Sequence, residues 1–136
     1  MIWQKEIVLS AHGQGLHDIG PEIEEALPSN PSEGILFAHL LHTSAALTLN
    51  ENYDPDVLQD MQLYLEHLAP QNLAGIRHTI EGPDDMPAHV KSSLFGTQIS
   101  IPVQKGKLVL GRWQGVFLCE FRTRPKTRTL FLSILY

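Results

Sequence analysis

The most informative hydrophobic pattern covers residues 36–68, where an apolar strand is followed by a polar break, a short strand and a helix. Residues 35–41 are almost uninterrupted apolar sequence, which is typical of a core strand covered on both faces. Asp54-Pro55 marks a helix start, because Asp caps free amides and Pro fits the first helical position. Apolar residues then recur at helical spacing and are expected to face the core: Val57, Leu58, Met61, Leu65 and Leu68.

The other patterns predict short elements around this stretch. Residues 2–9 predict a strand, residues 21–27 a short helix, and residues 87–95 a second short helix that ends at Gly96. Residues 71–82 predict a loop with an irregular strand near 76–80. Alternating apolar residues in the last forty positions predict several strands, with a hairpin turn at Lys105-Gly106. We therefore expect one α+β domain, residues 1–136, with a mostly antiparallel sheet or sandwich and two or three short helices.

Composition narrows the class of protein. The 136 residues suit a single domain. The net charge of -5 does not favour binding to nucleic acid or to an anionic membrane, because both are negatively charged. The single cysteine, Cys119, excludes an internal disulfide framework and fits a reducing cytoplasm. No secretory signal, membrane-length apolar run, P-loop or dinucleotide fingerprint is visible. We expect a cytoplasmic protein that binds a small molecule and needs no organic cofactor.

Three histidines are the candidate metal ligands. His42 follows the core strand, while His78 and His89 are 36 and 47 residues further along. Three neutral imidazoles that leave a position open to water are a common catalytic zinc pattern, and nearby carboxylates orient such ligands. The supporting carboxylates would be Asp85, Glu51 and Glu120. The spacing matches no local zinc motif, so separate polar or interface histidines remain an alternative.

Several short motifs together resemble the YjbQ family, whose members are described as secondary thiamine-phosphate synthases. The matching stretches are His42-Thr43-Ser44-Ala45 with residues 47–52, Asp54-Pro55, Glu81-Gly82, residues 84–89 with Lys91, Gly111 with residues 113–115, and Glu120 with Arg122. The resemblance covers nearly the whole chain. It implies an antiparallel sandwich that assembles as a homotrimer with sites near subunit contacts. Two features depart from the family: Phe121 replaces a frequent histidine, and residues 71–77 lack a tyrosine.

The resemblance implies a small-molecule transferase with weak thiamine-phosphate synthase activity, joining a pyrimidine diphosphate to a thiazole phosphate. Such a reaction needs a divalent cation, zinc or magnesium, more than a nucleophile. The implied catalytic residues are His42, Asn50, Glu51, Asp85, His89 and Glu120. The implied substrate-binding residues are Ser44, Lys91, Trp113, Gln114 and Arg122, and the implied metal ligands are His42, His78 and His89. Two alternatives stay open: a zinc-dependent hydrolase, and a metal- or metabolite-binding trimer without turnover.

The predicted homotrimer can be checked by light scattering. An antiparallel domain of this size has sheet edges and apolar strand faces to cover, and closed cyclic symmetry covers them without open-ended growth. The number three comes from the resemblance. We expect the mass of three chains at micromolar protein concentration. A monomer at that concentration would contradict the prediction.

Overall fold

The computed structural model describes residues 1–136 as eight strands and three helices. In chain order these are β1 (Ile2–His12), β2 (Gly15–Asp18), α1 (Gly20–Ala26), β3 (Gly34–Leu40), β4 (Ala45–Glu51), α2 (Pro55–Leu68), α3 (Asp85–Phe95), β5 (Gln98–Gln104), β6 (Lys107–Leu108), β7 (Gln114–Glu120) and β8 (Lys126–Leu135). All strand pairs are antiparallel. The predicted fold class, a single α+β domain with short helices, is confirmed. None of the helices has the length and apolar character required to span a bilayer.

The strands form two sheets, and β7 is the most deeply buried element. The five-stranded sheet has the order β1-β8-β3-β5-β6, and the three-stranded sheet has the order β2-β7-β4. Val116 and Leu118 of β7 pack into the main core between the sheets, whereas Phe117 and Cys119 pack into a second core under α2 and α3. This alternation follows from the period of two in a strand. Because both faces are covered, the end of β7 is a rigid support for the residues that follow it.

The helix α2 begins where the sequence predicts, but its last turn is more exposed than expected. The Asp54 side chain accepts a hydrogen bond from the backbone N–H of Asp56 at 2.9 Å, which confirms the predicted cap. Leu65 is buried, but Leu68 is 63% exposed. The expectation that Leu68 faces the core is wrong, because its side chain belongs to neither core cluster. Leu68 instead lines an open cleft together with the loop that follows.

The segment between α2 and α3 contains no strand. The predicted irregular strand at residues 76–80 is wrong, since this backbone pairs with neither sheet. Gly75 and Gly82 flank it with φ values of +92° and +105°, which interrupt an extended backbone at both ends. The segment nevertheless carries His78 to the start of α3.

Replacing Gly34 by Ala is expected to destabilise the fold. At Gly34, φ is +153°, and an added Cβ would lie 2.5 Å from the Leu135 carbonyl oxygen and 2.8 Å from Ile134 Cγ2. Because β8 backbone cannot yield easily, we expect Gly34→Ala to lower the free energy of unfolding by about 1–3 kcal/mol in urea titrations. The control is Gly13→Ala, whose Cβ would meet nothing within 4 Å. Equal stability of the two variants would contradict this packing argument.

Candidate metal centre

Two histidines and one aspartate bring their ligand atoms together at the start of α3. Nε2 of His78 is 2.6 Å and Nε2 of His89 is 2.9 Å from Oδ2 of Asp85. The three ligand atoms lie within 4.8 Å of one another. Asp85 and His89 are four residues apart in α3, so their side chains lie on one helix face. His78 reaches the same point from the loop before the helix.

Asp85 is the buried member of this cluster, and its neighbours keep it ionised. Its side chain is 1% exposed. Burial by itself raises the pKa of this carboxyl, but the hydrogen bond with His78 and the charges of His89 and Arg122 outweigh it, so the pKa is lowered. Nη1 of Arg122 donates to Oδ1 of Asp85. Oδ2 is therefore the oxygen that remains for the histidines.

The backbone assigns the proton of one histidine. Nδ1 of His89 lies 2.7 Å from the Thr43 carbonyl oxygen, and a carbonyl oxygen only accepts. Nδ1 therefore carries a proton and donates it. In a neutral His89 ring, Nε2 then presents its lone pair to Asp85. Two lone pairs at 2.9 Å repel each other unless a proton or another cation lies between them.

Arg122 and Asp84 fix the helix start from the other side. Nε of Arg122 donates to Oδ2 of Asp84 at 2.9 Å, and the Thr123 N–H donates to the same oxygen at 3.0 Å. Burial alone raises the pKa of Asp84, but these hydrogen bonds lower it to about 2. The Asp84 side chain makes no helix-capping hydrogen bond, because its Oδ2 already accepts hydrogen bonds from Arg122 and Thr123. Nη2 of Arg122 also donates to the Glu81 carbonyl.

The third predicted histidine ligand lies outside the cluster. Nε2 of His42 accepts a hydrogen bond from the Thr129 N–H at 2.8 Å, so this nitrogen is occupied. Burial, together with the charges of Arg128 and Lys126, lowers the pKa of His42. His42 does share a cleft of about 440 Å³ with Asp85 and His89. The structure therefore brings His78 and His89 together, with Asp85 in the place predicted for His42.

Glu120 and Ser44 are both hydrogen-bonded to the buried Arg128 guanidinium beside this cleft. Arg128 donates to both Glu120 oxygens and to Oγ of Ser44. Burial raises the pKa of Glu120, although the Arg128 guanidinium opposes this. Sequence reasoning missed Arg128. The sequence does contain an indication that Arg128 is buried, because Arg128 lies on the same face of β8 as the buried residues Leu130 and Leu132.

Lys91 does not reach the cleft. Its side chain is 3% exposed, and its ammonium group donates to a carboxylate oxygen of Glu66, on α2, at 2.6 Å. It also lies 5.9 Å from the centre of the Phe121 ring, so Phe121 is part of the core under the helices. The predicted substrate contact of Lys91 is replaced by an ion pair that ties α2 to α3.

The remaining predicted site residues lie at the opposite end of the three-stranded sheet. Asn50 and Glu51 pair with Gly115 and Gln114, whereas Ala45, beside the histidine cluster, pairs with Glu120. At about 3.3 Å per residue, the two ends of β4 are roughly 20 Å apart. Trp113 is half exposed there and packs against Tyr53 with the two rings tilted by 47° and their centres 4.3 Å apart. Within a single chain, these residues are therefore too far from the histidine cluster to act together with it.

The fold and this cluster define a small two-sheet α+β protein with a candidate centre of two histidines and one carboxylate. The chain belongs to the family described as UPF0047 protein YjbQ-like, whose model matches residues 5–136. It is 43% identical over 136 residues to UPF0047 protein YjbQ of Escherichia coli O157:H7, with 98% of each chain covered. It is 38% identical to UPF0047 protein YugU of Bacillus subtilis, with 87% of each chain covered.

Solved structures of similar proteins show the same fold. A conserved hypothetical protein from Thermus thermophilus has a TM-score of 0.87 and 35% identity, covering 96% of this chain and 99% of its own. An uncharacterized YjbQ/UPF0047 protein from Clostridium acetobutylicum has a TM-score of 0.83 and 34% identity, with the same coverage. These proteins are described as hypothetical or uncharacterized. The predicted thiamine-phosphate synthase activity is therefore wrong as an assignment, because the family and relatives identify no such reaction.

Asp84 should make the stability of this protein sensitive to acid. Its pKa is about 2 in the folded protein and about 3.9 in an unfolded chain. The folded state then binds fewer protons, so the contribution of Asp84 is present above about pH 4 and is lost as the pH falls toward about 2. We expect Asp84→Asn to flatten the fall in melting temperature over this range. Asp60→Asn, at an exposed position of α2, should keep the wild-type slope, and equal slopes for all three proteins would contradict the assignment.

Proposed function

We propose that the protein binds one divalent transition-metal ion through His78, His89 and Asp85. This proposal rests on the observation that the three ligand atoms lie within 4.8 Å of one another. Zinc binds nitrogen and oxygen at about 2.0–2.2 Å, so ligand atoms around one tetrahedral ion lie about 3.4 Å apart. The two nitrogens are already 2.6 and 2.9 Å from Asp85 Oδ2. Shifts of about 0.5–0.8 Å away from Asp85 Oδ2 would bring both nitrogens to that spacing from the oxygen.

The hydrogen bonds around the cluster support a cation at this point. His89 donates from Nδ1 to the Thr43 carbonyl, which directs the Nε2 lone pair toward Asp85. Arg122 holds the other oxygen of Asp85. Metal-binding histidines and carboxylates are commonly oriented by such outer contacts. A divalent ion between Nε2 and Oδ2 removes the repulsion between their lone pairs, and the ligands need little rearrangement.

The ligand types favour zinc or a related transition metal over magnesium. Magnesium takes oxygen ligands and keeps several waters, whereas imidazole nitrogen suits zinc, copper, iron and nickel. Two imidazoles and one carboxylate also leave coordination positions open. When bound, the ion supplies a Lewis acid for a water or a small-molecule ligand. The chain's own residues orient the ligands and line the cleft that leads to the open positions.

Metal binding can be tested by titrating metal-free protein with zinc. We expect one ion per chain and a rise in melting temperature, because an ion that binds only the folded state stabilises it. His89→Ala and Asp85→Asn should each weaken zinc binding at least tenfold and abolish this thermal shift. The matched control is His67→Ala, which removes an exposed imidazole from the end of α2. Wild-type affinity in His89→Ala and Asp85→Asn would contradict the proposed centre.

A further inference from the structure

We infer that the cleft beside the histidine cluster binds a small carboxylate or phosphate anion, and that it does so only when the metal ion is in place. This inference rests on the proposed metal centre and names the class of ligand that the centre would take. The cleft has a volume of about 440 Å³, and only one of its eleven lining residues is hydrophobic. It is polar, close to the open metal positions and large enough for a small molecule.

Two hydrogen-bond donors in the cleft have no acceptor in the protein. Lys126 is exposed and forms no ion pair. Nε2 of His42 accepts from Thr129, so the neutral ring carries its proton on Nδ1, and the only hydrogen bond of this side chain to the protein is the one at Nε2. The Lys126 charge is near enough to contribute to the lowered pKa of His42. An ammonium and an imidazole N–H are thus available to one ligand, and anionic oxygens accept from both.

The other two cations of the cleft are already neutralised. Arg122 pairs with Glu81, Asp84 and Asp85, and Arg128 pairs with Glu120. With Lys126, three cations therefore face four carboxylates, and the net charge of the site is -1 when His42, His78 and His89 are all neutral, which is the form in which imidazoles bind a metal ion. A bound divalent ion reverses the sign of this charge. The metal-free cleft is expected to repel anions, whereas the metal-loaded cleft should attract them.

This charge reversal couples the two ligands. If the metal raises the affinity for the anion by a given factor, the anion raises the affinity for the metal by the same factor, because the two binding equilibria form a closed cycle. Lys126 adds to the anion affinity without contacting the metal ligands. Its removal should therefore weaken anion binding and leave zinc binding in the absence of the anion unchanged.

The test is calorimetric titration of metal-free and zinc-loaded protein with inorganic phosphate and, separately, with acetate. We expect at least tenfold tighter binding of one of the two anions to the zinc-loaded protein, and the preferred anion identifies the ligand as a phosphate or a carboxylate. Lys126→Gln should weaken that binding about tenfold. The matched control is Lys105→Gln, which removes the same charge from the exposed β5–β6 turn and should bind as wild type.

The outcomes separate this inference from the proposed centre. If zinc does not bind, the proposed function itself is wrong. If zinc binds with the expected stoichiometry but neither anion binds more tightly than to metal-free protein, the anion site is overturned and the metal centre stands. Equal anion affinities of Lys126→Gln and Lys105→Gln would likewise overturn the role of Lys126.

Discussion

The two oxygens of the Asp85 carboxylate have different partners, and the arrangement of the candidate site depends on this division. Arg122 holds Oδ1, while His78 and His89 approach Oδ2. A buried carboxylate without partners is costly, because burial removes its hydration. The strand end that carries Arg122, the helix that carries His89 and the loop that carries His78 must therefore meet at Asp85. The compact cluster of His78, Asp85 and His89 results from satisfying one buried charge.

β7 supplies the rigid part of this arrangement. Its side chains alternate between the two cores, so the position of the strand is determined by packing on both sides. Glu120 at its end and Arg122 just beyond it reach different partners, Arg128 on β8 and the aspartates at the start of α3. Each buried charge is thereby paired. Removing one partner of such a pair is strongly destabilising, because it leaves an uncompensated charge inside the protein.

The three-stranded sheet separates two groups of polar residues that the family resemblance implies for the same functional site. His42, Asp85 and His89 lie at one end, and the group around Trp113 and Gln114 lies at the other. The second group is held by its own contacts: Gln114 accepts from the Gly111 N–H, and the Arg112 guanidinium lies 4.8 Å from the centre of the Trp113 ring. Within one chain, only the first group lies beside the cluster of His78, Asp85 and His89.

The sequence alone determined the features that depend on neighbouring residues. In the sequence, Asp54 identified the start of α2 and Lys105-Gly106 identified the hairpin turn. The structure confirms the turn, since φ is +53° at Lys105 and +71° at Gly106. These signals are local, because caps and turns depend on backbone conformations within a few residues. The fold class followed from strand periodicity. His78, Asp85 and His89 were also identified as candidates, since polar residues next to turns and helix starts are visible in the sequence.

Only the tertiary structure decided which of these candidates meet. The Thr129 N–H donates a hydrogen bond to His42, which is 87 positions away in the sequence. Arg122 donates to one oxygen of Asp85, which is 37 positions away. Arg128 pairs with Glu120 because two strands from different sheets approach each other there. Neither periodicity nor spacing encodes such contacts, because they depend on how the sheets and helices pack together. The partner of each buried charge, and with it the composition of the site, is therefore a property of the folded chain.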